Sequence, residues 1–292
     1  IAPAELAQRI AAINAILLDA RAKRPAPGLD DKCLTSWNAL MVMGYRDAAL
    51  AFGRADWMER ATTAMERLLK QCRTPNGGLW HSTKQGRATI NGYLEDYCFV
   101  IEALVALYEA TFEEAWLEEA RALVEHVLRH FPDKATGLFH FTSDLDPPLI
   151  ARHKELIDSV VPASNSSLAK GLFRLGTLLD EQRYRDRALR MLHAVSTQLA
   201  GHPSGHSNWG QLLQWTAFPQ PEIAITGPDA LPLRRAFGNH HVPNALFLGG
   251  TTSGTLPLLK GRFLPSSTIF VCVDQACQLP VATVDEALNQ LP

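Results

Sequence analysis

Trp57-Met-Glu-Arg-Ala61, Trp116-Leu-Glu-Glu-Ala120 and Tyr184-Arg-Asp-Arg-Ala188 repeat one pattern, an aromatic residue with an alanine four positions on. They are spaced by 59 and then 68 residues. The same two offsets relate the turn glycines Gly78, Gly137 and Gly205, and the small residues Gly44, Ala103 and Gly171. Several landmarks holding fixed offsets mark an internal repeat of helical hairpins. Each hairpin leaves an apolar face bare, so neighbours must stack to cover it. The small residues inside helices predict close approach between neighbouring inner helices, since glycine there costs about 1 kcal/mol against alanine.

Working outward, the spacing of Leu6, Ile10, Ile13, Ile16 and Leu17 predicts a helix over 4–22, stopped by Pro25 and Pro27. Helices follow over 37–53 with Ser36 as N-cap and over 55–72, then the turn Thr74-Pro-Asn-Gly-Gly78. The second unit opens at Asn91 or Gly92 and runs to Ala110. Its partner starts at Thr111-Phe-Glu-Glu114, read as a capping box, and ends near His130. The third pair runs from Ser164 or Asn165 to Leu179 and from Tyr184 to Leu199. Beyond residue 217 the pattern changes. Ile223–Thr226, Ala245–Leu248 and Thr268–Cys272 read as strands, Asp229–Ala236 as a helix, and Thr283-Val-Asp-Glu286 as a capping box for a last helix to Leu291. The expected fold is mainly α, a portion of an α/α toroid over 1–217, with a small α/β C-terminal element over 218–292. At most eight helices precede residue 217, fewer than a six-hairpin ring needs. The chain also begins at Ile1 without a methionine, which reads as a fragment start.

The 292 residues carry 28 Lys and Arg against 30 Asp and Glu, a net charge of −2. That balance argues against general nucleic-acid binding and suits a neutral ligand. No apolar run is long enough to span a membrane. The five cysteines are too few for a disulfide scaffold and too dispersed for a zinc ribbon, which predicts a reducing, cytoplasmic setting. Cys272 and Cys277 are four residues apart, not the two of a thioredoxin motif, and read as inert buried thiols. Walker A, Rossmann, Gly-x-Ser-x-Gly and His-Glu-x-x-His patterns are missing, so neither a cofactor nor a metal is expected.

In an array of antiparallel hairpins the inner helices run parallel, so their N-termini share one face. Helix N-termini concentrate unpaired N–H groups and positive dipole ends. The densest polar and aromatic clusters fall at these entrances: Asp30–Asn38, Asn91–Tyr97 and Asp158–Ser167. The repeat aligns Trp37 with Asp96 and Ser164, and Asn38 with Tyr97 and Asn165. Candidate proton carriers are Asp96, His153, His206 and Asp158. Candidate ligand-binding residues are Asp31, Trp37, Asn38, Glu95, Tyr97, Arg152 and Asn165. Flat rings beside amides and carboxylates suit a sugar. Glycoside hydrolysis wants two carboxyl groups across the scissile bond, and epimerisation wants a base and an acid. Glu95 and Asp96 adjoin on one helix and point about 100° apart, so Asp96 is expected to need Asp30, Asp31 or Asp158 as partner. His81 also falls on the open face, whereas His126, His130 and His193 fall on outer helices. Each cluster also has a purely structural explanation in helix capping and loop solvation.

Arg24-Pro25, Asp30-Asp-Lys-Cys-Leu-Thr-Ser-Trp-Asn-Ala-Leu40, Gly92-Tyr-Leu-Glu-Asp-Tyr-Cys-Phe99, Ala106-Leu-Tyr-Glu-Ala-Thr111, Trp116–Ala120, Pro162-Ala-Ser-Asn-Ser166 and Cys272–Pro280 resemble the spermatogenesis-associated protein 20 family, including its bacterial YyaL-type members. The resemblance implies a thioredoxin-like domain joined to a toroid of the six-hairpin glycosidase type, similar to N-acylglucosamine and cellobiose 2-epimerases. This sequence has no Cys-x-x-Cys, so that redox-like domain is expected to be a separate part of the protein. The function expected is that of a carbohydrate-active domain, epimerase/isomerase-like or glycosidase-like. The alternative is a non-catalytic binding or docking module serving the thioredoxin-like domain.

Overall fold

The computed structural model describes residues 1–147, 150–274 and 276–292. They form two compact units, Ile1–Lys32 and Cys33–Pro292. The first unit is the helix α1 (Pro3–Ala22) and its polar tail. Proline at its first turn suits helix initiation, yet no residue of α1 is buried. Its apolar residues Leu6, Ile10, Ile13 and Ile16 are all exposed.

The second unit holds three helical hairpins in a row. The inner helices are α2 (Thr35–Phe52), α4 (Leu94–Thr111) and α6 (Ser164–Leu178); their outer partners are α3 (Ala55–Cys72), α5 (Ala115–His130) and α7 (Gln182–Gly201). A further inner helix, α8 (Ser207–Ala217), follows α6. This is the expected portion of an α/α toroid. Helix α4 sits mid-row and is buried nearly all round, from Leu94 through Ala110. A helix apolar on every face belongs in a core. Helix α2 lies at the end of the row, and Trp37 and Met41, one turn apart, are exposed.

The repeat alanines Ala61, Ala120 and Ala188 are fully buried where outer helices meet inner ones. Gly171 answers the expectation of close approach, since a Cβ there would lie 3.0 Å from Ile101 Cγ2. Gly44 does not, because a Cβ there would meet nothing within 4 Å.

Several boundaries differ from expectation for local reasons. Helix α2 starts at Thr35 with Leu34 as N-cap, so Ser36 lies inside the first turn. Helix α4 starts at Leu94 behind Tyr93. Thr111-Phe-Glu-Glu114 forms no capping box. Thr111 instead bonds back to the Leu107 carbonyl, and Phe112 adopts a left-handed conformation that closes α4. The box at Thr283 does form, and heads α10 (Val284–Leu288), shorter than expected.

A short strand ahead of the first hairpin and two strands between the first and second hairpins form a sheet that no sequence expectation covers. Strands β1 (Cys33–Leu34), β2 (Trp80–Lys84) and β3 (Arg87–Asn91) pair antiparallel in that order. Gln85 and Gly86 both take positive φ, the requirement of a tight two-residue hairpin.

The change of architecture near residue 217 falls inside the second unit. Strands β4 (Glu222–Thr226), β5 (Leu246–Gly250), β6 (Thr268–Val273) and β7 (Ala276–Cys277) lie in the order β5-β4-β6-β7. Strand β4 is buried throughout and pairs parallel to β5 by way of α9 (Ala230–Ala236). This element covers the C-terminal ends of the inner helices. Gly238 lies against the Leu50 carbonyl, and the Gly249 N–H donates to the Tyr108 hydroxyl at 3.3 Å. Cys272 and Cys277 face each other across β6 and β7 and form a disulfide. The expectation of two inert thiols is corrected accordingly: sequence separation hides a pairing that strand register brings about.

Candidate active site

The hairpin sheet and the N-termini of α2 and α4 assemble one cluster. Asp96 is completely buried, and its carboxylate curls back over the start of its own helix. It accepts the Tyr93 N–H at 2.8 Å and, from the neighbouring inner helix, the Ser36 N–H at 3.0 Å. One carboxylate thereby satisfies unpaired N–H groups of two adjacent helix starts, where the dipoles also favour negative charge. His81 of β2 places Nδ1 2.9 Å from Asp96 Oδ2. Thr35 Oγ1 donates to the Trp80 carbonyl at 2.6 Å and fixes the strand that carries His81.

Glu95 joins this pair. Ligand-capable atoms of His81, Glu95 and Asp96 all lie within 4.8 Å of one another. The helical-wheel expectation that Glu95 and Asp96 diverge therefore fails. It holds for side chains pointing outward from a helix, whereas Asp96 turns back to cap its own N-terminus. Burial pushes the Glu95 carboxyl up, with Asp96 and Glu155 adding repulsion. Burial also raises Asp96, opposed by its bonds from His81, Tyr93 and Ser36. The arrangement is that of a buried carboxylate orienting an imidazole, with a second carboxyl beside it that holds its proton to higher pH than usual. One nitrogen and two carboxylates could also serve a divalent cation.

An aromatic row extends from the cluster. His81, Tyr93, Phe141 and His153 follow one another at ring separations of 4.8, 4.9 and 4.8 Å. The Phe141 carbonyl accepts the Leu94 N–H at 2.9 Å, and the Phe141 N–H donates to the His153 carbonyl. His153 itself is exposed. Arg152 donates to the Thr142 carbonyl and holds the same loop.

The remaining candidates lie in three settings. Asp31 belongs to the first unit and is exposed. Trp37 and Asn38 are exposed at the start of α2, where Asn38 Nδ2 donates to the Leu34 carbonyl at 2.7 Å. Tyr97 and Asn165 occupy matching repeat positions and do matching work. The Tyr97 hydroxyl accepts the Leu79 N–H at 2.8 Å, and Asn165 grips both the N–H and the carbonyl of Phe139 at 2.9 Å. Each is fully buried and pins the turn of the preceding hairpin. Asp158 does for α6 and α8 what Asp96 does for α2 and α4, accepting the Ala163 N–H at 2.9 Å and the Asn208 N–H at 2.8 Å. His206 is buried, with Nδ1 2.8 Å from the His202 carbonyl.

His81 falls on the expected open face but not among the candidate proton carriers, and Phe141 and Glu155 are not among the candidates at all. The signal for His81 was present in Trp80–Lys84 and Arg87–Asn91 flanking a Gly turn, a hairpin pattern that would have set it beside the helix N-termini.

Tyr97 stacks on His126 at 5.2 Å, and that imidazole is buried with Nε2 unpartnered among the described residues. Burial pushes His126 down to about 4. In the unfolded chain it titrates near its ordinary value of about 6.5. Between those values the unfolded state binds the extra proton, so stability is complete above about pH 6.5 and falls as pH drops towards 4. Denaturant titrations should show His126→Gln reducing the stability difference between pH 7 and pH 5 by about 1 kcal/mol.

No family model matches the chain. Human spermatogenesis-associated protein 20 is 30% identical over 290 residues, covering 91% of this chain. The chain is similar to spermatogenesis-associated protein 20 over nearly its whole length. It spans 36% of that protein's length. Among solved structures, the α-mannanase BT2949 of Bacteroides thetaiotaomicron is similar at a TM-score of 0.49 and 15% identity, covering 59% of this chain and 46% of that one. A D-mannose isomerase is similar at a TM-score of 0.48 and 14% identity, covering 59% and 43%. Among the described residues, no helix is long and apolar enough to cross a membrane.

Proposed function

We propose that this chain is a carbohydrate-active domain that moves protons on a sugar, in the manner of an epimerase, isomerase or glycosidase. The observation that carries the reading is the contact between His81 Nδ1 and the buried Asp96 carboxylate, with Glu95 beside it. A proton held on Nδ1 by Asp96 leaves Nε2 as the basic nitrogen, and Glu95 supplies an acid. The exposed Trp37 offers a ring face for a pyranose, the packed Tyr93 and Phe141 rings back the His81 imidazole, and Arg152 and His153 stand on the same loop. The ligand implied is a neutral small molecule.

Turnover of a panel of monosaccharides and glycans tests this. His81→Gln and Glu95→Gln should each lower kcat by about 10²–10⁴-fold while the protein stays folded. Activity should fall as pH rises through the elevated Glu95 range, because the acid is lost there. No turnover across the panel, or full turnover in His81→Gln, would overturn the proposal.

One observation favours a second reading, a non-catalytic module accompanying a thioredoxin-like domain of the same protein. Two of the three hydrogen bonds Asp96 accepts come from helix starts and are explained by capping alone. On that reading Asp96→Asn lowers stability, and sugars neither bind nor react.

A further inference from the structure

About 20 Å along α2 and α4 from His81, at the opposite ends of the same helices, a second charged cluster lies against the α/β element. Its centre is Glu109, a carboxylate on the last turn of α4 with a side chain 3% exposed. Arg46 of α2 approaches one of its oxygens at 3.3 Å, and Arg174 of α6 pairs with the other. Arg234 of α9 donates Nε to the Glu109 carbonyl at 2.6 Å, with its guanidinium 3.8 Å above the Phe247 ring. These groups border a cavity of about 420 Å³ that His240 and His241 also line.

The charges do not balance. Among the described residues, three guanidinium groups meet two carboxylates, those of Glu109 and Asp47, and Asp47 is an exposed side chain held by Arg46 at 2.6 Å. Arg234 is 4% exposed, and its Nε–H is the donor that reaches the Glu109 carbonyl. Burial, with repulsion from Arg46 and Arg174, pushes Arg234 down to about 9. A buried cation in excess of its counter-ions is costly, and an anion entering the cavity would relieve that cost. Guanidinium groups offer paired N–H donors that match phosphate oxygens.

We propose that this cavity is an anion site that takes a phosphate group, bound by Arg46, Arg174 and Arg234 at the junction of the inner-helix ends and the α/β element. The volume leaves room for a small phosphorylated molecule as well as for free phosphate. The site is separate from the His81 cluster, and its test does not depend on sugar turnover.

Calorimetric titration of the whole chain at constant ionic strength, with inorganic phosphate and with glucose 6-phosphate, tests the proposal. Saturable binding to one site is expected. Arg174→Gln should weaken it at least about tenfold. Glu109→Gln, which removes the competing carboxylate, should tighten it. Tighter binding of glucose 6-phosphate than of phosphate assigns a phosphorylated ligand, and equal binding assigns the phosphate group alone. A measurement without substitutions guards against misfolding: phosphate should protect Arg46 and Arg174 from phenylglyoxal, read by mass spectrometry, where chloride at equal ionic strength does not. Absence of saturable binding, binding unchanged in both variants, or equal protection by chloride would overturn it.

Discussion

Replacing Glu109 by glutamine is expected to destabilise the protein by about 3–5 kcal/mol, the cost of leaving buried charges without their counter-ion. Glu109 is the one carboxylate that both Arg46 and Arg174 reach among the described residues, and its backbone carbonyl accepts from Arg234. These arginines come from α2, α6 and α9, so one residue of α4 ties two neighbouring inner helices through its carboxylate and the α/β element through its backbone carbonyl. Removing its charge leaves guanidinium groups facing one another across a cavity. The loss should appear as a lowered denaturant midpoint. If the α/β element loosens first, two transitions should replace one. A change below about 1 kcal/mol would mean that solvent already satisfies these arginines and that the cluster is not a joint. Phosphate should restore part of the lost stability in this variant more than in the parent, because ligand bound only to the folded state adds to its stability.

Asp158→Ala is expected to cost about 2–4 kcal/mol, since it removes caps from two helices at once. The carboxylate accepts the N–H groups of Ala163 and Asn208, and the Ser207 hydroxyl lies 3.2 Å from it. Asp158→Asn retains one acceptor oxygen and should cost about half as much. Urea titration of the pair, with circular dichroism to follow helix content, checks both values. The comparison also separates capping from proton transfer at this residue. If Asp158 only caps helices, turnover by the folded fraction of Asp158→Asn should match that of the parent. A large loss of turnover at full folding would place Asp158 in the chemistry.

Asp96 and Asp158 are two instances of one solution. Parallel inner helices bring several sets of unpaired N–H groups to one end of the row, and a carboxylate placed between neighbouring starts satisfies two sets at once. At Asp96 the third acceptor direction is used by His81, and at Asp158 by serine hydroxyls. The same architectural need thus yields a histidine–carboxylate pair at one junction and a purely polar one at the next.

Hairpins were legible in the sequence because the repeat is imposed by packing. Ala61, Ala120 and Ala188 are fully buried, and Tyr97 and Asn165 pin equivalent turns, so their spacing had to be kept. The shift to strands beyond residue 217 was legible from short apolar runs, and the face carrying Asp96 and Glu95 from the polarity of the helix entrances. What the sequence by itself determined is therefore periodicity: which segments are helices, which sides are buried, and where the polar ends gather. Only the tertiary structure decided which side chains meet. His81 reaches Asp96 because β2 folds over a helix start 15 residues later. Glu109 meets Arg234 across 125 residues, and Cys272 meets Cys277 through strand register. The physical reason is that periodicity is set by backbone geometry repeating along the chain, whereas a pair of charges or a proton relay depends on two segments arriving at one point, which local spacing does not encode.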